Sequence, residues 1–137
     1  MSFLSIYNAI RDKWVNEWSY TDSTFDNEVF TPGNIPWVRL SIRDGDAQQI
    51  SLGVPSLDRH AGVLFISIFV PINKGQEQAR WLADKAGSIF IKKNLTTDDG
   101  ELVFGVPYLV NSETDDGIDS GWWQVSTLCP FTHDRVT

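Results

Sequence analysis

Cysteine and histidine, which often build disulfides, metal sites and nucleophilic centres, are nearly missing from this chain of 137 residues. It contains one cysteine, Cys129, and two histidines, His60 and His133. A single cysteine excludes an internal disulfide bond and is typical of a reducing compartment. Cys129 and His133 lie four residues apart, but this pair supplies at most half of a metal site. The sequence therefore predicts neither a metal nor a cofactor.

Long apolar runs and basic charge are also scarce. No stretch approaches the ~18 apolar residues that a membrane-spanning helix needs, and the first residues do not resemble a signal peptide. We therefore expect no membrane partner. The 11 Lys and Arg residues are outnumbered by 18 Asp and Glu residues, which gives a net charge of −7. This charge disfavours a nucleic-acid-binding surface, and it suits a protein past which DNA moves without being gripped.

Catalytic constellations are equally hard to find. The paired acids lie in two polar loops and lack the alternating spacing of a calcium-binding loop. No serine or lysine stands in a recognisable nucleophile or phosphate-binding motif. The sequence therefore does not predict an enzyme. A small enzyme or ligand-binding domain, with one face of the sheet as the floor of a pocket, is the alternative from a different class.

Aromatic residues are abundant, at 12% of the chain with six Trp, and the central segment is strongly apolar. Residues 63–70 form a nearly unbroken apolar run, which predicts a buried strand that ends at Pro71 because proline cannot donate to a sheet ladder. A helix with one apolar stripe is predicted to follow from Asn73. This helix covers only one face of the strand, so the other face must be covered by something else.

The segment before the central strand predicts a helix, a loop and a hairpin. Apolar residues recur three or four apart over 2–18, which indicates an amphipathic helix. Residues 19–36 lack periodicity and are predicted to form a long loop. Residues 37–43 alternate between apolar and polar, which indicates a half-buried strand with two arginines facing outward. Asp44-Gly45 is a hairpin signal that leads into a return strand.

The segment after the second helix predicts two more strands, joined by polar loops. Residues 101–111 alternate, and Pro107 within them indicates an edge position or a bulge. Residues 122–131 predict the last strand, and 132–137 a short frayed tail. The predicted fold class is α+β, a mainly antiparallel sheet of about five strands with two helices packed on one face, in the order α-β-β-β-α-β-β. We expect one domain over residues 1–137.

Four short phrases occur at set places in this order. They are Phe30-Thr-Pro-Gly-Asn-Ile-Pro-Trp37, Gln49-Ile-Ser-Leu-Gly53, Ala79-Arg-Trp-Leu-Ala-Asp84 and Trp123-Gln-Val-Ser-Thr-Leu-Cys-Pro-Phe131. Together with the element order, they resemble the tail terminator proteins of long-tailed bacteriophages (siphoviruses), the group that includes the minor tail protein U of lambda-like phages. The resemblance covers almost the whole chain.

The resemblance implies a structural virion protein without catalytic residues or a cofactor. It implies a homo-hexameric ring that caps the head-proximal end of the tail tube, stops polymerisation of the tube protein and offers a surface to the head-tail connector. Genomic DNA would pass through the ring without specific binding. Such a protein would assemble in the host cytoplasm and end in the virion tail. The neighbouring alternative is a tail-completion or connector ring of the neck.

Two sets of residues are candidates for contacts in such a ring. The uncovered sheet face is expected to pack against protein, and the acidic loops are expected to line the lumen or its rim. The candidate subunit-interface residues are Val63, Phe65, Phe69, Arg39 and Arg43. The candidate lumen or rim residues are Asp98, Asp99, Asp115, Asp116 and Asp119.

Overall fold

The fold is α+β, with two helices and one mixed sheet. The computed structural model describes residues 2–53, 56–72, 75–111 and 121–136. Its elements are α1 (Ser2–Glu17), β1 (Asp22–Phe25), β2 (Trp37–Gln49), β3 (Leu57–Pro71), α2 (Glu77–Phe90), β4 (Asn94–Thr97), β5 (Gly100–Phe104), β6 (Tyr108–Asn111) and β7 (Trp122–Val136). The sheet has the strand order β1-β2-β3-β7-β5-β4, and β6 also pairs with β7. β1 runs parallel to β2, and the other pairs are antiparallel.

Strand β3 places alternate side chains on the two faces of the sheet. Leu64, Ile66, Ile68 and Val70 are buried, whereas the residues between them are half-buried. The buried set shares one core with Ile6 and Ile10 of α1 and with the apolar stripe of α2. Because both helices contribute to that single core, they cover one face of the sheet. The other face has no helix over it in the described part of the chain.

Two tryptophans, Trp14 in α1 and Trp18 just after it, join the two helices to the edge of the sheet. Trp14 stacks on Trp18 with ring centroids 4.5 Å apart, and on Phe90 of α2 at 6.5 Å. The indole nitrogens donate to Ser23 Oγ at 3.0 Å and to Thr21 Oγ1 at 3.1 Å. Each ring thus buries a large apolar area while its one donor is satisfied. These two tryptophans belong to the core.

The predicted hairpin at Asp44-Gly45 is wrong, because β2 continues through it to Gln49. The strand only changes register between Asp44 and Ala47, and the antiparallel partner strand β3 begins at Leu57. A Cβ added at Gly45 would lie 2.9 Å from the carbonyl oxygen of Ala61 on β3. This glycine therefore permits the two strands to approach closely. The sequence alone does not distinguish this role of glycine from its role in a turn.

Short edge strands and a longer last strand account for the other differences. The loop predicted for 19–36 contains β1, and the polar segment before Gly100 contains β4. The strand predicted for 101–111 is split into β5 and β6 around Pro107, and both pieces pair with β7. The predicted tail, 132–137, is paired with β3 and β5 through residues 132–135. Within the described residues, the sheet thus has seven strands instead of about five.

The ends of the central strand and the second helix agree in part with the prediction. β3 ends at Pro71, as predicted, but it begins at Leu57, well before the apolar run. α2 begins at Glu77, whereas the helix was predicted to start from Asn73, which lies outside the described residues. α1 ends at Glu17, one residue before the predicted end.

A candidate assembly surface on the open face of the sheet

The sheet face that points away from the helices, called the open face from here on, carries a continuous set of aromatic, arginine and small polar side chains. Strands β1, β2, β3 and β7 build it, because cross-strand partners in register place their side chains on the same face. Its residues are Asp22 and Thr24 of β1, Trp37, Arg39, Ser41 and Arg43 of β2, Val63, Phe65, Ser67 and Phe69 of β3, and Gln124, Ser126 and Leu128 of β7. All five candidate subunit-interface residues therefore lie on one surface.

An aromatic stack occupies one end of the open face. Trp37 stacks on its cross-strand partner Phe69, with ring centroids 4.1 Å apart and planes within 10°. Phe30, from the segment after β1, stacks on Trp37 with ring centroids 4.9 Å apart. Trp122 contacts Trp37 edge-on, with ring centroids 6.2 Å apart. These rings leave Trp37 only 6% exposed. Its indole nitrogen is buried and has no hydrogen-bond partner within the described ranges.

Two arginines lie over aromatic rings of the open face. The guanidinium carbon of Arg39 is 5.2 Å from the Trp37 centroid and 5.8 Å from that of Phe69, and Arg43 is 5.1 Å from Phe65. Such a cation–π contact contributes about 0.5–1 kcal/mol at an exposed site. Neither arginine has a carboxylate partner among the described residues. Each guanidinium carbon thus lies over an aromatic ring, and neither group is within ion-pair distance of a described carboxylate.

The remaining apolar side chains of the open face are only partly covered. Val63, Phe65 and Phe69 are half-buried, and Ser67 Oγ lies 3.1 Å from Ser126 Oγ on β7. Partly exposed aromatic side chains grouped on one face are typical of surfaces that meet a protein partner. The open face is therefore the strongest candidate contact surface that the structure offers.

The acidic rim candidates differ from one another. Asp98 is exposed, whereas Asp99 accepts a hydrogen bond from Ser5 Oγ at 2.7 Å and lies 3.5 Å from His133 and 3.9 Å from Arg135. Burial raises the pKa of Asp99, but the Ser5 hydrogen bond and the field of His133 outweigh it, so the net pKa is lowered. Asp99 thus ties the β4–β5 turn to α1 and β7 within the protomer. The other candidates, Asp115, Asp116 and Asp119, lie outside the described residues.

The Cys129–His133 pair points into the protein interior. Burial raises the pKa of the Cys129 thiol to about 12, which makes it unreactive near neutral pH. His133 is fully buried, and its Nε2 lies 2.6 Å from Thr97 Oγ1. Burial lowers the pKa of His133, although the Asp99 carboxylate acts in the opposite direction. Over the described ranges, no group of three or more His, Cys, Asp or Glu residues could hold a metal ion.

A groove of about 360 Å³ between α2 and β6 was missed by sequence reasoning. The apolar walls come from Ala83, Gly87, Pro107 and Leu109, and Asp84 is the one carboxylate among the described lining residues. Pro107 signalled an irregular strand, but only the fold brings β6 beside α2. The described lining residues include no histidine or cysteine, so they give little support to the enzyme alternative. No helix in the described segments is long and apolar enough to span a membrane.

Two helices on one face of a mixed, seven-stranded sheet define an α+β fold that other proteins share. Eighteen chains among the solved structures match it. One of them superposes with a TM-score of 0.67 at 14% sequence identity, covering 100% of this chain and 96% of its own. At that identity the similarity shows the fold alone. No curated protein matches the chain.

The family described as "Phage tail terminator protein" matches residues 6–131, nearly the whole chain. The chain therefore belongs to the phage tail terminator family, which confirms the predicted resemblance. It is a structural protein of a bacteriophage tail, located in the virion and contacting other tail or head components. The family is a structural one and is not known as enzymatic.

Proposed function

We propose that this protein forms a homo-hexameric ring on the head-proximal end of the tail tube, where it stops polymerisation of the tube protein and presents a surface to the head-tail connector. The observation that carries the proposal is the open face, on which aromatic rings and unpaired arginines remain partly exposed. A ring requires each protomer to keep a surface that its own chain does not satisfy.

The composition of the open face supports a protein partner. Aromatic residues and arginine are enriched at the centres of protein interfaces, because they bury much area at low entropic cost and still offer polar contacts. The open face presents the half-buried Phe65 and Phe69 beside two arginines whose guanidinium groups lie over rings. No cofactor or metal role competes for this surface in the residues described.

The segment after β1 supplies a second set of contacts, which we assign to neighbouring rings. Val29 is 102% exposed and Ile35 is 60% exposed, while Phe30 between them holds the segment to Trp37. Large apolar side chains that are mostly exposed on an anchored segment suit binding to another subunit. One face of the ring would thereby meet the tube and the other the connector.

The charge of the protein suits the passage of genomic DNA through the ring. The net charge of −7 repels the phosphate backbone, so DNA crosses the lumen without being held. We assign the lumen or rim to the acidic segments around Asp98 and Asp115–Asp119. Asp99 is included only because it lies in the same turn as Asp98. Its carboxylate accepts a hydrogen bond from Ser5 and lies beside His133 within the protomer.

Electron microscopy of phage particles that lack this protein tests the proposal against the neck-ring alternative. Loss of a terminator should give overlong or unjoined tails. Loss of a completion protein should instead leave tails of normal length beside filled heads, and that result would contradict the proposal. Light scattering of the purified protein, alone and with tail tubes, should show a six-fold mass. A monomer at high concentration that also fails to bind tubes would exclude the ring.

A further inference from the structure

His133 lies at one end of the core, beneath the edge of the sheet. Its side chain is 0% exposed. In the sheet it lies opposite His60 on β3 and Leu102 on β5. Thr97 of the edge strand β4 and Asp99 of the turn after it both approach the Nε2 atom of its ring. The short hairpin of β4 and β5, called the edge hairpin from here on, therefore helps to shield the ring from water.

A chain of hydrogen bonds leads from α1 through the edge hairpin to His133. Ser5 Oγ donates to Asp99 Oδ1 at 2.7 Å. Thr97 Oγ1 lies 3.3 Å from the same carboxylate oxygen and 2.6 Å from His133 Nε2. Because an ionised carboxylate only accepts, the Thr97 hydroxyl donates to Asp99, and its oxygen accepts the Nε2–H of His133. These contacts thus place the proton of the neutral ring on Nε2.

The second ring nitrogen, Nδ1, has no comparable contact. It is buried and has no hydrogen-bond partner within the described ranges. Protonation of the ring puts its second N–H at this atom, where no described acceptor receives it. A buried donor without an acceptor costs free energy that contact with water recovers. The neutral ring therefore fits the closed structure, and the charged ring fits a structure in which the edge hairpin has moved away.

Charged groups around the ring act in both directions. The carboxylates of Asp99 and Asp134 favour the protonated ring, whereas Arg135 and a charged His60 disfavour it. Burial is the largest effect, and the pKa of His133 is lowered overall. These four groups belong to β3, β7 and the β4–β5 turn. The strands β4 and β5 place the uncharged Thr97 and Leu102 beside the ring, and α1 connects to it through Ser5.

We propose that His133 is a pH-dependent latch that holds the edge hairpin closed over the end of the core. As the pH falls below about 6.5, the ordinary pKa of a histidine in water, the open form takes up a proton before the closed form does. The ratio of open to closed molecules then rises by up to about tenfold per pH unit, until the pH reaches the pKa of the closed form. Asp99 stays ionised in both forms over this range, because its pKa is lowered from 3.8. The latch does not depend on the proposed ring.

Hydrogen exchange of backbone amides in the full chain tests the latch. Protection factors of β4 and β5 amides would be measured by NMR between pH 7.5 and pH 5.5 and corrected for the intrinsic pH dependence of exchange. The amides of Ile66 and Ile68 in the centre of β3 are the reference. Edge-hairpin amides should be less protected than the reference amides, and their protection should fall about three- to tenfold over this range. A low concentration of urea should leave their protection unchanged, since a local opening exposes little surface.

Variants at the two facing histidines separate the latch from general destabilisation. His133→Gln keeps a donor for Thr97 but has no titrating ring, so protection of the edge hairpin should no longer depend on pH. His60→Gln is the matched control on β3 and should keep the pH dependence. Ser5→Ala provides a test that leaves His133 in place. It should lower protection of the edge hairpin at pH 7.5 about fivefold, whereas Ser88→Ala on the exposed side of α2 should not.

Three results would overturn the inference. The first is protection of the edge hairpin that does not change with pH. The second is a pH dependence that disappears in His60→Gln and persists in His133→Gln. The third is exchange of the edge hairpin at the same level as Ile66 and Ile68, which would show that it opens only when the whole protein unfolds. None of these results bears on the ring, so the proposed function is tested separately.

Discussion

Replacing Phe65 by aspartate should abolish ring assembly and leave the protomer folded. Phe65 is half-buried on the open face, and the guanidinium of Arg43 lies 5.1 Å from its ring centroid. Its neighbour Leu64 is 0% exposed and points into the core beneath the helices. The two adjacent positions therefore allow the same substitution to be compared on the two faces of one strand.

The expected cost to the protomer follows from what Phe65 buries. Complete burial of a phenylalanine contributes about 1.5–3 kcal/mol, so half-burial accounts for about 1 kcal/mol. Losing the cation–π contact removes about 0.5–1 kcal/mol more. The new carboxylate can pair with Arg43, which offsets up to about 1 kcal/mol. The net loss of about 0.5–2 kcal/mol is small beside the ~5–15 kcal/mol that holds a typical domain folded.

At the ring contact the same change acts more strongly. A buried interface aromatic typically contributes at least about 2 kcal/mol, which corresponds to about a thirtyfold loss of affinity at each contact. Leu64→Asp should instead unfold the protomer, since it buries an unpaired carboxylate in the core. Urea denaturation gives the unfolding free energy of each variant, and light scattering gives its mass. If Phe65→Asp unfolded the protomer, the open face would belong to the core and the reasoning would be refuted.

Three further results should follow from the structure. The free energy of unfolding in urea should fall as the pH drops below about 6.5, because burial lowers the pKa of His133 in the folded state and the unfolded chain takes up a proton first. The His133→Gln variant should not show this pH-dependent loss of stability. Gly62→Ala should cost about 1–3 kcal/mol and lower the melting temperature, since an added Cβ would lie 2.7 Å from a backbone oxygen, whereas Gly33→Ala, with nothing within 4 Å, should not. Trp37→Phe should keep the aromatic stack and remove the unsatisfied indole donor, so it should lower the free energy of unfolding by at most about 1 kcal/mol. Trp37→Ala should lower it by about 3–5 kcal/mol. A large loss of stability in the phenylalanine variant would show that the donor has a partner.

Periodicity predicted the elements whose environment is uniform along their length. The apolar run 63–70 is the centre of β3, and the stripe of α2 is buried as expected. Proline chemistry predicted the end of β3 at Pro71. It indicated an edge position or a bulge at Pro107, where the structure instead divides the predicted strand into β5 and β6. These signals act within one element, so one sequence is enough to show them.

Features that depend on a distant partner could not be read in this way. Residues 132–135 look like a tail until β3 and β5 are known to lie on both sides of them. Asp99 looks like a solvated loop acid until Ser5 and His133 are brought beside it. The alternation of β2 placed Arg39 and Arg43 on one side, but only the register of β2 with β3 put Phe65 and Phe69 beside them.

The position of β7 in the sheet has a consequence for biosynthesis. β7 pairs with β3 along 15 residues, from Leu57 opposite Val136 to Pro71 opposite Trp122, and it also holds β5 and β6. Every other strand leaves the ribosome before β7 does. One edge of the apolar β3 therefore stays unpaired while the more than 50 residues from the end of β3 into β7 are synthesised. Such long-range pairing folds slowly and exposes strand edges that invite association between nascent chains. A chain interrupted within residues 121–136 should therefore aggregate during synthesis, even though its helices and the β2–β3 pair are complete.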